Sequence, residues 1–197
     1  MNPPRKHHYI PAFYLKQWAG ADGKVCVMRK VPSGLSVLRR SPNATGFKVD
    51  LYKIDNVPPE QAQQFESVFL TLADNDAYHA LQKLIADNRD WTPRYRSAWA
   101  RFVISLLFRN PENVSDIRGH ILHIWEAGKD ALREAFLAKD LQGETFEQYF
   151  ERTHAAVPHV DAAQFLRSLI DNERLGRTLV SMQWDIIELK KTPRTCS

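Results

Sequence analysis

The run Lys6-His7-His8-Tyr9-Ile10-Pro11-Ala12-Phe13-Tyr14-Leu15-Lys16 is the densest stretch of titratable and aromatic groups in the chain. Histidine changes charge near neutral pH and can move protons or ligate metal, while Tyr9, Phe13 and Tyr14 offer apolar walls with polar tips. His7, His8 and Tyr14 are therefore the first candidate constellation, for proton transfer or ligand positioning, held by the stiff Ile10-Pro11 step. The bland alternative is a pair of solvated histidines beside a core anchor made of Tyr14, Leu15 and Trp18. No nucleophile elbow, phosphate-cradling glycine loop or paired CxxC stands in the chain, so these residues bound the chemistry without naming it.

Glu66 and Asp74 are hard oxygen ligands suited to a divalent metal such as magnesium or manganese. Eight residues of unbroken helix cover about 12 Å, so the two can share an ion only if the helix breaks between them, with Asn75 and Asp76 as the expected break. Arg101 lies on a narrow polar stripe, Arg94, Ser97, Arg101 and Ser105, of an otherwise apolar helix. Its guanidinium must reach solvent or find an acidic partner, with Glu66 or Asp74 as the expected ion pair; facing a cleft, it could hold a phosphate or carboxylate bidentately. Arg109, near the end of that helix, suits an anion or the negative end of the helix dipole. Arg118 and His123 form an Arg-x4-His spacing that resembles the dyad of the HEPN ribonucleases, although Gly119 replaces the usual polar neighbour.

Four segments in order carry a wider resemblance. The His-aromatic-aliphatic-Pro run into Tyr14-Leu15, then Asp50-Leu51-Tyr52, the acidic positions Glu66 and Asp74, and Arg109-Asn110-Pro111 together resemble domain-of-unknown-function family 4238. The resemblance brings in Tyr52, and the candidate site is then His8, Tyr14, Glu66, Asp74 and Arg101 as catalytic residues with Arg109, Tyr52 and His7 as ligand-binding ones. It implies no known activity. Members are expected to continue beyond a Trp-led strand into a Thr-Ser-Asp-x-Pro segment, whereas Trp184 to Leu189 is followed here only by Lys190 through Ser197, as in a truncated member.

These groups must be positioned by a chain of 197 residues with ordinary composition, 44% hydrophobic and 25% charged, which excludes disorder. The net charge of +4 permits anionic partners but gives no clustered stripe typical of a dedicated nucleic-acid binder. Cys26 and Cys196 make neither a disulfide framework nor a metal spacing, which points to a reducing cytoplasm; no signal peptide or membrane-spanning run is evident.

Alternation over Lys24–Arg29, the Pro32-Ser33-Gly34 turn, Leu35–Leu38 and Phe47–Ile54 predicts an antiparallel β-meander within 23–55. Helical spacing begins at Pro59, and Thr92-Pro93 starts a central helix. Another helix is expected from Pro111 through the Ala138 region, then three shorter ones. A β-prone segment at Trp184–Leu189 closes the chain. The expectation is a helix-rich α+β single domain with the meander at 23–55, helices over 59–183 and a terminal strand and tail over 184–197. The functional expectation is a His/acidic/Arg site that binds or hydrolyses a phosphate-containing or nucleic-acid ligand, with a divalent metal as an open question. The alternative is a non-catalytic interaction or regulatory domain, with a protein partner, in which the same residues form a structural polar network.

Overall fold

The computed structural model describes residues 5–86, 91–139 and 143–184. It is a helix-rich α+β fold whose strands lie in the N-terminal part. β1 (Lys6–His8) is followed by α1 (Ala12–Leu15), then β2 (Val25–Val31), β3 (Gly34–Arg40) and β4 (Phe47–Val49). β2 and β3 form a two-stranded antiparallel ribbon in which Val25 faces Arg40 and Val31 faces Gly34. β4 leaves that ribbon and pairs antiparallel with β1, setting Phe47 opposite His8. The expected single meander is therefore two separate ladders, because the third strand is captured by the histidine run.

The connection between them explains the capture. Pro42 is buried in a 3-10 turn (Pro42–Ala44), and Gly46, at φ 68°, accepts the Ile10 N–H at 3.1 Å. A Cβ on Gly46 would stand 3.0 Å from both the Ile10 carbonyl oxygen and Leu15 Cδ1, in a backbone region that side chains avoid. Gly46→Ala is expected to destabilise the fold by about 1–3 kcal/mol. A urea titration that finds less than about 0.5 kcal/mol, the range of ordinary surface changes, would remove this hinge from the account.

The helical part begins with α2 (Pro59–Ala62), a π-helical turn at Phe65–Leu70, and α3 (Thr71–Ile85). α4 (Pro93–Phe108) opens at Thr92-Pro93 as expected and packs against α3. Proline at the first position of α5 (Pro111–Ala127) costs no hydrogen bond, and Asn110 Oδ1 caps the helix by accepting from the Asn113 N–H. The long helix expected from Pro111 breaks at Gly128, a poor helix former, and continues as α6 (Lys129–Leu137). α7 (Phe146–His154), α8 (Val157–Ile170) and α9 (Glu173–Ser181) follow. Of the expected terminal strand only Trp184 lies within the described residues.

Leu51, Tyr52, Phe65, Phe69 and Leu70 meet Val114 of α5 and Leu166 and Ile170 of α8 in the main core cluster. Each such side chain contributes about 1.5–3 kcal/mol on burial, so this cluster fixes the floor on which the polar site rests. Among the described residues no helix is long and apolar enough to cross a membrane. Cys26 is not a free thiol, so the cysteine-based argument for a reducing compartment no longer applies.

Candidate functional site

The site is built around a helix end. Pro111 cannot continue α4, so the chain turns at Arg109-Asn110-Pro111 and Arg109 becomes the C-terminal cap. Its carbonyl would be an orphan of the last helical turn, and the Tyr52 hydroxyl donates to it at 2.6 Å. The Arg109 side chain is 0% exposed: Nε donates to the Tyr9 carbonyl at 3.1 Å and Nη1 to Asp74 Oδ1 at 2.8 Å. Its guanidinium also stands 5.5 Å from the Phe102 ring centroid. Arg109 thereby ties the histidine run, α3 and α4 together.

Glu66 reaches the same neighbourhood through the π turn. On a regular α-helix, residues eight apart sit about 80° apart around the axis. A π turn inserts roughly one extra residue, which brings them to within about 20° of a common line. The expected break at Asn75-Asp76 is absent, since α3 runs through both; the irregularity lies upstream, at Phe65–Leu70. Side-chain hydroxyls accompany the wide turn, Ser67 Oγ donating to the Gln63 carbonyl and Thr71 Oγ1 to the Glu66 carbonyl, each at 2.9 Å. Such turns gather at functional sites because they re-aim a side chain without ending the helix.

Electrostatics divides the carboxyls into two kinds. Burial pushes Glu66 up to about 7; nearby Asp74 raises it further, while Arg109 and the His8 backbone oppose the rise. Burial also raises Asp74, against the pull of Arg109. His8 moves the other way: burial lowers its pKa and so do Arg109 and Lys6, with the Asn43 backbone opposing. The cluster thus holds a neutral imidazole, a carboxyl that titrates near neutrality and a guanidinium. Among the described residues, three buried atoms of this group, His8 Nε2, Glu66 Oε2 and Arg109 Nη2, have no hydrogen-bond partner.

The other named residues lie around this group. His7 is buried beneath it, where Nδ1 accepts from the Tyr52 backbone N–H at 2.9 Å and the two rings stack. Tyr52 is a core residue, and burial holds its hydroxyl well above the ordinary tyrosine range. Tyr14 joins an aromatic wall with Trp18, Trp99 and Phe102, one ring removed from Arg109. Arg101 is not brought to the cluster: its Nε pairs with Asp171 Oδ1 at 2.6 Å and its guanidinium lies over Phe69. The expected pairing with Glu66 or Asp74 gives way to Asp171, near the end of α8. Arg118 donates to the Lys53 carbonyl at 2.7 Å, while His123 is exposed.

Sequence reasoning missed Gln63 and the Tyr9 carbonyl, and reached Asp50 only through the resemblance. Asp50 adopts φ 54°, pairs with Arg5 and accepts from Gln63 Nε2, which turns the chain so that Leu51 and Tyr52 both enter the core. An acidic residue between a strand and two core residues is a usable signal, because Asp tolerates the left-handed region. The Tyr9 carbonyl carries no signal of residue type. Among the described residues no group of three His, Cys, Asp or Glu side chains is arranged to hold a metal ion.

Fold and site together define a helix-rich α+β protein with a buried imidazole–carboxyl–guanidinium centre at the junction of its N-terminal ladder and two long helices. The chain belongs to a family described as protein of unknown function (DUF4238), whose model matches residues 6–191. No curated protein and no solved structure matches it.

Proposed function

We propose that this protein binds and hydrolyses a phosphate-containing ligand at the centre formed by His8, Glu66, Asp74 and Arg109. The observation that carries the reading is the trio of unpartnered buried atoms, His8 Nε2, Glu66 Oε2 and Arg109 Nη2. Such atoms are costly to bury, and a phosphoryl group with its attacking water offers each a partner. Arg109 Nη2 would donate to a phosphoryl oxygen while Asp74 keeps the guanidinium in place. Neutral His8 would take a proton from water as the new P–O bond forms, and protonated Glu66 would donate one to the oxygen leaving phosphorus.

A second reading has its own observation. His7, Tyr52, Arg109 and Asp74 all make bonds that join separate elements, which suits a structural network in an interaction or regulatory domain. The two readings part at His8. Under the first, His8→Ala is expected to lower turnover of a small phosphodiester or an oligonucleotide by about 10²–10⁴-fold, the usual share of a general base. Its urea midpoint should stay near that of the parent. A stable His8→Ala protein with full turnover, or a parent with none, would sink the catalytic assignment.

A further inference from the structure

The β2–β3 ribbon concentrates the charge of the whole chain. Residues 23–49 contain the cations Lys24, Arg29, Lys30, Arg39, Arg40 and Lys48 and no carboxylate, so this segment alone exceeds the chain's net +4 and the remainder is net anionic. The clustering is invisible to overall composition and arises from the hairpin register, which folds Arg39 and Arg40 back beside Cys26 and Val25. Lys24 and the four ribbon cations Arg29, Lys30, Arg39 and Arg40 are exposed. Arg39 pairs with Asp22, whereas among the described residues no carboxylate pairs with Lys24, Arg29, Lys30 or Arg40.

One face of the ribbon is also apolar and open. The register places Met28 opposite Val37 and Lys30 opposite Leu35 on that face, with Arg39 at its far end. Met28 is 67%, Leu35 66% and Val37 44% exposed. A strand of seven residues spans roughly 23 Å. An apolar strip that carries Lys30 and Arg39 on its own face, with Arg29 and Arg40 on the opposite face of the same two-stranded ribbon, has the shape and charge to enter the major groove of a duplex. There cations meet phosphates and aliphatic side chains meet thymine methyls. The deep, narrow groove of an RNA duplex would not admit it.

We infer that the β2–β3 ribbon is a DNA-binding arm that lies in the major groove of duplex DNA, with Lys30 and the Met28–Val37 strip toward the groove floor and Arg29 and Arg40, on the opposite face, reaching the phosphates at its rim. The ribbon leads directly into the Pro42–Ala44 turn, whose Asn43 backbone neighbours His8, so bound DNA would lie beside the proposed centre. That delivery rests on the reading above; the ribbon's own binding does not.

Fluorescence anisotropy on the full chain tests it, with labelled duplex DNA, duplex RNA and phosphatidylserine vesicles as alternative probes. Duplex DNA should bind at least about tenfold tighter than duplex RNA, with affinity falling steeply in salt. The triple change Arg29→Glu, Lys30→Glu, Arg40→Glu should weaken DNA binding more than about tenfold and flatten the salt slope by about two to three. The matching triple change to Gln should act in the same direction, as a guard against misfolding, and Arg174→Glu, far from the ribbon in sequence, should change little. Binding that persists in His8→Ala supports the ribbon independently of the chemistry. No binding to duplex DNA, equal loss in Arg174→Glu, or binding to the vesicles alone would overturn the inference, the last reassigning the arm to an anionic lipid surface.

Discussion

Arg109→Met is expected to lower stability by about 3–5 kcal/mol, because removing one partner of a buried pair leaves the other charge uncompensated. Arg109 is wholly buried, and its loss leaves Asp74 without its 2.8 Å partner and the Tyr9 carbonyl without its donor. For a chain of 197 residues this corresponds to a fall in Tm on the order of 10 °C. The companion variant is informative in the opposite sense. Adding Asp74→Leu to Arg109→Met removes the stranded carboxylate and should restore part of the stability, since apolar replacements of a whole buried pair are often tolerated. Chemical denaturation of the single and double variants measures both effects. A single variant within about 1 kcal/mol of the parent, or a double variant worse than the single, would mean that the pair does not organise the junction of α3, α4 and the histidine run.

Glu66→Gln should make the protein more stable, and only at higher pH. The folded state holds the Glu66 proton up to about 7, whereas the unfolded chain releases it near the ordinary value of 4.5. Between those values the folded state binds more protons than the unfolded one, so this group's contribution to stability falls as pH rises. The window closes above about 7, where both states are ionised. Over the whole window the loss comes to about 3 kcal/mol. His8 opposes it, since its lowered pKa makes stability rise with pH toward 6.5, and the exposed paired carboxylates add their own slopes. The difference between variant and parent cancels those contributions. It should be near zero at pH 4 and grow to about 3 kcal/mol in favour of Glu66→Gln at pH 8. A flat difference across that range would show that Glu66 titrates as an ordinary surface carboxylate. A site group whose removal stabilises the fold is a mark of function, because natural chains keep such strain where chemistry needs it.

Local signals in the sequence were enough for several elements. Thr92-Pro93 starts α4 and Asn110-Pro111 starts α5, because the fixed φ of proline and, at α5, the Asn110 side-chain cap act within one turn. The Pro32-Ser33-Gly34 turn lies between β2 and β3 for the same local reason. The ordered segments around His8, Tyr52, Glu66, Asp74 and Arg109 also marked the family correctly. Their grouping in space was less legible. His7 finds Tyr52 45 residues away, Arg109 finds Asp74 35 residues away, and Arg101 passes over both acidic candidates for Asp171, 70 residues away.

What the sequence by itself determined is therefore the β2–β3 hairpin, the starts and order of the longer helices and the residue types able to do chemistry. The tertiary structure decided that β4 pairs with the histidine run rather than extending the hairpin, that a π turn swings Glu66 toward Asp74, and that Arg29, Lys30, Arg39 and Arg40 gather on one ribbon. The physical reason is range: capping, turn chemistry and periodicity are settled within a few residues. Ladder partners, ion pairs and shifted pKa values depend instead on which distant surfaces the core brings together and strips of water.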